Sequence, residues 1–266
     1  MLKQKWTEGM RYKIADCVFE VNHIGNLEDT WKYFKTDEEA DIKATVTTTA
    51  DFCYGFEYID ISQKSHMLKS ENSIFVCEHD WKESTIYSDD EYYISMFLEI
   101  QLYSYIMEHG ALLVHSSLVD YKGDGIMFLG PSGIGKTTQA ELWNKYENAT
   151  ILNGDMVFIR RLEDGLYGYG SPWHGSSPYF ENKKVKLKAL VMLEQGKENI
   201  ITKCEDFNKL NSFMRQVFLP YWANDKMTTC LDNIDALINN TPVYHMICRP
   251  DEDAVKKLKD MIEKGE

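Results

Sequence analysis

The 266 residues carry 42 acidic against 29 basic side chains, a formal net charge of −13, and are 44% hydrophobic and 13% aromatic. That is enough apolar surface for a packed core, which excludes a disordered chain; an acidic surface repels phosphate backbones and anionic lipid, so neither nucleic acid nor a membrane is an expected partner. No apolar run is long enough to span a bilayer, the start Met1-Leu2-Lys3-Gln4-Lys5-Trp6 lacks the apolar core of a leader, and the six cysteines form no Cys-x-x-Cys pair, so reduced thiols in a soluble, cytoplasmic protein are expected.

Residues 1–88 read as a β-rich region of short strands and turns, with candidates at Tyr12–Val21, Ile42–Thr48, Phe52–Ile61 and Ser73–Cys77. The β-branched run Thr45-Val46-Thr47-Thr48-Thr49 suits a pleated surface. This region is either a small domain of its own or one edge of the main sheet, and it carries no visible chemistry. Residues 89–266 form the second expected domain. Asp89-Asp90-Glu91 open a helix, where the macrodipole favours acidic side chains. Ile94, Phe97, Leu98, Leu102, Tyr105 and Ile106 then give it one apolar face, and Gly110 is the expected stop.

Ala111–Val119 reads as a buried strand, Tyr121–Gly125 as a turn, and Ile126–Leu129 as a second strand. Gly130-Pro131-Ser132-Gly133-Ile134-Gly135-Lys136-Thr137 follows, and Thr138–Tyr146 continues as a helix. The loop satisfies Gly-x-x-x-x-Gly-Lys-Thr in full. Its glycines let successive N–H groups turn inward around phosphate oxygens, and the next helix offers the positive end of its dipole to the same anion. Lys136 is expected at the β- and γ-phosphates and the Thr137 hydroxyl on Mg²⁺, with Gly130 through Thr138 holding ATP or another nucleoside triphosphate.

The strand feeding this loop is the second arm of a hairpin, and hairpin patterns continue at Met156–Arg161, Leu166–Tyr169 and Lys186–Leu193. The expected fold is therefore α/β with a mixed, largely antiparallel sheet and few helices. Asp251–Lys264, with Val255, Leu258 and Ile262 at helical spacing, closes the chain as an amphipathic helix. Asp155, in Ile151-Leu152-Asn153-Gly154-Asp155, is the nearest downstream carboxylate for the metal or an acceptor hydroxyl; a plain turn aspartate after glycine is the other reading. Arg215 and Arg249 offer guanidinium groups that match phosphate geometry, against the plainer reading of surface ion pairs.

The stretch from about His109 to Leu193 resembles the HPr kinase/phosphorylase family and, more loosely, the phosphoenolpyruvate carboxykinase-like fold. The resemblance is carried by His115-Ser116-Ser117-Leu118-Val119-Asp120, a short hairpin, and the phosphate loop. It implies a role for His115 in catalysis or phosphate binding, although a histidine on an apolar strand also fits a hydrogen-bonded core residue. The family has an Asp-Asp pair after the loop's helix, one carboxylate acting as base; this chain has Gly154-Asp155. Glu181 falls near a family glutamate and otherwise reads as a solvated loop residue. In place of the family's HPr-handling segment stands Tyr169-Gly170-Ser171-Pro172-Trp173-His174-Gly175, whose Trp173 and His174 either line an acceptor site or pack on the sheet.

The resemblance thus implies an ATP- and Mg²⁺-dependent phosphotransferase acting on a hydroxyl of a peptide, protein or small molecule, with HPr itself disfavoured. The rival expectation is a catalytically reduced nucleotide-binding regulatory module, and carboxykinase chemistry ranks last because its further metal ligands and second lysine are not identifiable. Expected partners are the nucleotide and the phosphoryl acceptor, with a homo-oligomer left open.

Overall fold

The computed structural model describes residues 9–23, 27, 29–48, 65–204, 213–223 and 225–264. Packing divides the chain into two compact units, Met1–Glu108 and His109–Glu266. Each has its own mixed sheet, so the fold is α/β with few helices.

The first unit holds strands β1 (Met10–Ile14), β2 (Cys17–Asn22), β3 (Ile42–Thr47), β4 (Ser65–Ser70), β5 (Ser73–Glu78) and β6 (Glu83–Tyr87), a 3-10 helix (Asp29–Phe34), and helix α1 (Glu91–Met107). Its six strands lie in the order β1-β2-β3-β6-β5-β4, so they are not an edge of the main sheet. β3 runs parallel to both β2 and β6, and the other pairs are antiparallel. The single strand expected over Tyr12–Val21 is instead the hairpin β1–β2. It reverses at Ala15 and Asp16, which adopt φ +50° and +56°. That backbone is usually left to glycine, asparagine or aspartate, so Ala15 gives no turn signal and Asp16 alone only a weak one. The candidate strand Phe52–Ile61 lies outside the described residues.

Asp90 caps α1, its side chain accepting the Tyr92 N–H at 2.9 Å. The helix packs against β2, β3, β5 and β6, and the buried Gln101 amide donates to the carbonyls of Lys43 and Trp81 while accepting from Ser84 Oγ at 2.6 Å. These contacts hold α1 in the first unit, so the division falls after Glu108, one helix beyond Ser88.

The second unit contains β7 (Ala111–Tyr121), β8 (Asp124–Leu129), α2 (Lys136–Glu147), β9 (Thr150–Asn153), β10 (Met156–Leu162), β11 (Gly165–Tyr169), β12 (Lys184–Gln195), β13 (Ile200–Lys203), α3 (Lys226–Asn240), β14 (Val243–Cys248) and α4 (Glu252–Lys264). The sheet order is β11-β10-β7-β8-β12-β14-β13, with β9 beside β7 and β11 also pairing β12. β8 and β14 run parallel to β12, and the other pairs are antiparallel. The hairpin β7–β8 turns at Lys122 and Gly123, both at positive φ, with Asp120 Oδ1 accepting the Gly123 N–H at 2.8 Å.

One face of this sheet buries Val119, Ile126, Phe128, Val191 and Met246 against Ala140 and Trp143 of α2 and Val255, Leu258 and Ile262 of α4. Each such large side chain removed from water contributes about 1.5–3 kcal/mol, so the face that clamps α2 also fixes the loop entering it. No helix among the described residues is long and apolar enough to cross a membrane.

Candidate functional site

β8 ends at Leu129, and the chain enters α2 through Gly130–Gly135. Gly130, Gly133 and Gly135 take φ of +142°, +77° and +112°, a region that favours glycine. A β-carbon at Gly133 or Gly135 would meet no atom within 4 Å, so the loop borders open space there. Gly130 faces inward instead, where the Ile134 side chain closes over it and packs on the core.

Gly135 caps α2 without a side-chain acceptor, and the first turn of the helix holds no acidic residue. The exposed N–H groups and the positive end of the dipole are left for an outside anion. Lys136 is only 6% exposed, and its ammonium donates to the carbonyls of Gly130 at 3.0 Å and Pro131 at 3.3 Å. Burial pushes its pKa below the ordinary lysine value of 10.5, and the negative Asp155 works against that shift. A buried cation served by two neutral carbonyls fits an anionic ligand.

Opposite the loop, β9 and β10 run along β7 as one interrupted strand. Leu118 pairs with Asn153 and His115 with Met156, so the register is the same on both sides of Gly154-Asp155. Asn153, fully buried, accepts the N–H of Asp155 at 2.8 Å and of Met156 at 2.9 Å. Its amide donates to the carbonyls of Ser171 at 3.1 Å and Trp173 at 3.0 Å. One asparagine thus ties the strand interruption to the glycine- and proline-containing loop beyond β11. The Gly154 carbonyl accepts from Thr137 Oγ1 at 3.3 Å and Ser117 Oγ at 3.1 Å, linking α2 to the same point.

Asp155 Oδ1 lies 2.9 Å from His115 Nε2, with both side chains 31% exposed. An ionised carboxylate only accepts, so Nε2–H of the imidazole is the donor. His115, Ser132, Gly133, Gly135, Lys136, Thr137, Thr138, Gly154, Asp155, Ser176, Ser177 and Pro178 line a single cavity of about 390 Å³. That volume is in the range of small-ligand sites. The structure therefore brings Ser132, Gly133, Gly135, Lys136, Thr137 and Thr138 together with His115 and Asp155 in one cavity, with Gly130, Pro131 and Ile134 outside its lining. A larger groove of about 740 Å³ on the first unit, beside Arg11 and Glu20, has no loop of this kind.

The other candidates stand outside that lining among the described residues. Trp173 is buried and meets the Phe158 ring edge-on at 6.0 Å, which is the packing alternative. His174 contacts the Ser177 carbonyl through Nδ1 and lies against the Phe180 ring at 5.0 Å. Glu181 is half-exposed beside Lys183 at 3.4 Å, while its backbone N–H donates to Leu152 O. Arg249 pairs with Asp251 at 2.9 Å, and Arg215 is exposed.

Ser176 and Pro178 of the lining carry no signal in the sequence, and three further residues that shape the site carry little more. Gly175, at φ +56°, packs directly on the Asp155 carboxylate, leaving no room for a β-carbon. Ser177 Oγ and Cβ occupy the space that a side chain on Gly154 would need. Asn153 is the hub described above. Only the Gly170 and Gly175 pair around Ser171-Pro172-Trp173-His174 hinted at a tightly held loop.

No family model matches the chain. Over 116 residues it is 26% identical to the HPr kinase/phosphorylase of Mycoplasmopsis pulmonis (strain UAB CTIP), a match covering 42% of this chain and 34% of that protein. The chain thus spans about a third of the length of this curated relative, and the similarity is confined to that stretch. Among solved structures, the Hpr(Ser) kinase/phosphatase from Coxiella burnetii aligns with 57% of this chain and 93% of its own, at 12% identity and a TM-score of 0.34.

Proposed function

We propose that the second unit binds a nucleoside triphosphate with Mg²⁺ in the loop Gly130–Thr137 and transfers its terminal phosphoryl group to a hydroxyl of a peptide, protein or small molecule. The observation that carries this reading is the His115–Asp155 pair at 2.9 Å, lining the same cavity as Lys136 and Thr137. A carboxylate held by a donor beside a phosphate cradle is what hydroxyl-directed phosphoryl transfer requires.

The residues present fit the polyphosphate. Amides at the start of α2 and the buried Lys136 ammonium supply donors to its oxygens, and Thr137 Oγ1 and the Asp155 carboxylate supply hard oxygen ligands for a divalent cation. Bound nucleotide and Mg²⁺ supply the transferable group and neutralise its charge. Asp155 accepts the proton from the incoming hydroxyl. His115 holds the carboxylate in one orientation through Oδ1, and Gly175 backs its other face. The resemblance supports this acceptor class, with Asp155 the one carboxylate lining the cavity among the described residues.

A second reading, a nucleotide-binding module without transfer, is favoured by Ser177 filling the place where a side chain at 154 would stand. One experiment separates the two. ADP formation is followed with serine peptides, whole-cell protein and small alcohols as acceptors, for the wild type and Asp155→Asn. The kinase reading expects acceptor-dependent ADP in the wild type and a loss of about a hundredfold or more in Asp155→Asn. Nucleotide binding with no ADP from any acceptor selects the module.

A further inference from the structure

Ser177 is 8% exposed, its side chain lies in the space a side chain on Gly154 would fill, and it lines the cavity together with Lys136, Thr137 and Asp155. Three contacts fix it there. Its backbone N–H donates to the His174 carbonyl at 3.0 Å, its own carbonyl meets His174 Nδ1, and the Gly154 N–H donates to the Tyr179 carbonyl at 3.3 Å, drawing this segment onto the strand interruption. The hydroxyl accepts the Tyr179 N–H at 3.3 Å. With that lone pair engaged, the O–H remains as the group it can offer to the cavity. A neutral hydroxyl is a poor substitute for a carboxylate on a divalent cation, but it is a good donor to an anionic oxygen.

We infer that Ser177 donates a hydrogen bond to the terminal phosphate of the bound triphosphate, so that a loop hydroxyl stands in the site where a side chain at position 154 would otherwise act. This rests on the nucleotide-site reading above and adds a specific recognition of the triphosphate over the diphosphate. Gly154 and Ser177 are then a complementary pair. The absence of a side chain at one is the condition for the hydroxyl at the other.

The test measures ATP and ADP affinities with Mg²⁺ by calorimetry, independently of turnover. Ser177→Ala is expected to weaken ATP by roughly tenfold while leaving ADP unchanged, the size of one hydrogen bond to a charged group. The transposed variant Gly154→Ser/Ser177→Gly returns a hydroxyl to the same space and is expected to regain most of the preference; Gly154 is not at positive φ, so serine is tolerated by the backbone. Melting temperatures establish that both variants are folded. A folded Ser177→Ala with the wild-type ATP-to-ADP ratio, or a folded transposed variant no better than Ser177→Ala, overturns the inference and leaves the nucleotide-site reading standing. A wild type that binds neither nucleotide overturns that reading itself.

Discussion

His115 on β7 and Asp155 between β9 and β10 meet at 2.9 Å because the strand register is unbroken across their meeting point. Residues 153 and 156 keep the pairing with Leu118 and His115 on either side of Gly154 and Asp155, and the one register shift falls beyond them, between Leu118 and Val119. The Asp155 carbonyl accepts the Ser116 N–H at 2.9 Å, so the backbone of the interruption remains anchored while its side chain turns to the cavity.

The role given to His115 is positioning, and it predicts a graded response. His115→Ala removes one hydrogen bond to a charged carboxylate and should lower turnover by about ten- to a hundredfold. Nucleotide affinity should change little, and His115→Asn, which retains a donor, should recover part of the loss. Steady-state kinetics with calorimetry checks all three. Equal losses in both variants would argue that the imidazole ring itself takes part.

Gly175 is predicted to be intolerant of any side chain. Its φ of +56° strains other residues, and a β-carbon would collide with the Asp155 carboxylate. Gly175→Ala should cost about 1–3 kcal/mol in denaturant unfolding and should also depress transfer, because the carboxylate must move. A variant as stable and active as wild type would show that the carboxylate does not rest against this loop.

The depressed pKa of Lys136 sets the sign of a pH effect. Burial disfavours the ammonium in the free protein, while an anionic ligand binds only the protonated form and pulls its pKa back up. Affinity for nucleotide should therefore be complete below the depressed pKa and fall as pH rises through it, earlier than an ordinary lysine near 10.5 would allow. Above about pH 8 the nucleotide's own phosphates no longer titrate, so the fall reports the protein. Lys136→Arg, charged across this range, should lack it. Calorimetric titrations of both proteins, stepped upward in pH from about 8 toward the ordinary lysine value of 10.5, make the comparison.

How much of this was written in the sequence depends on the range of each interaction. The phosphate loop, its hairpin-fed strand β8, helix α2 and the amphipathic α4 rest on local signals: glycine at required positive φ, apolar spacing, a turn at Lys122-Gly123. The mixed sheet was legible for the same reason, from hairpins following one another. The Ala15-Asp16 reversal was not, since Ala15 carries no left-handed preference and a lone Asp16 is a weak turn signal. Strands β4, β6, β13 and β14 and helix α3 went unnamed, although Cys230, Ile234, Leu237 and Ile238 of α3 are buried at helical spacing.

At the site, Lys136, Thr137, His115 and Asp155 could each be proposed from motif or matched spacing. Their neighbours could not. Gly175 against Asp155 and Ser177 against Gly154 join residues twenty or so positions apart through a loop of irregular backbone, and no periodicity encodes such contacts. Trp173, for which the sequence leaves an acceptor-site and a packing role both open, is buried against Phe158, as large aromatic side chains commonly are.

The central claim is that the Gly130–Thr137 loop and its buried lysine hold a polyphosphate. Calorimetric titration of Mg²⁺–ATP into the wild type and into Lys136→Ala, with melting temperatures to show both folded, tests it most directly. The account predicts saturable binding by the wild type and a loss of about a hundredfold in the variant, since a buried charge on a phosphate is removed. Wild-type affinity retained by a folded Lys136→Ala, or no binding by the wild type at all, would contradict it.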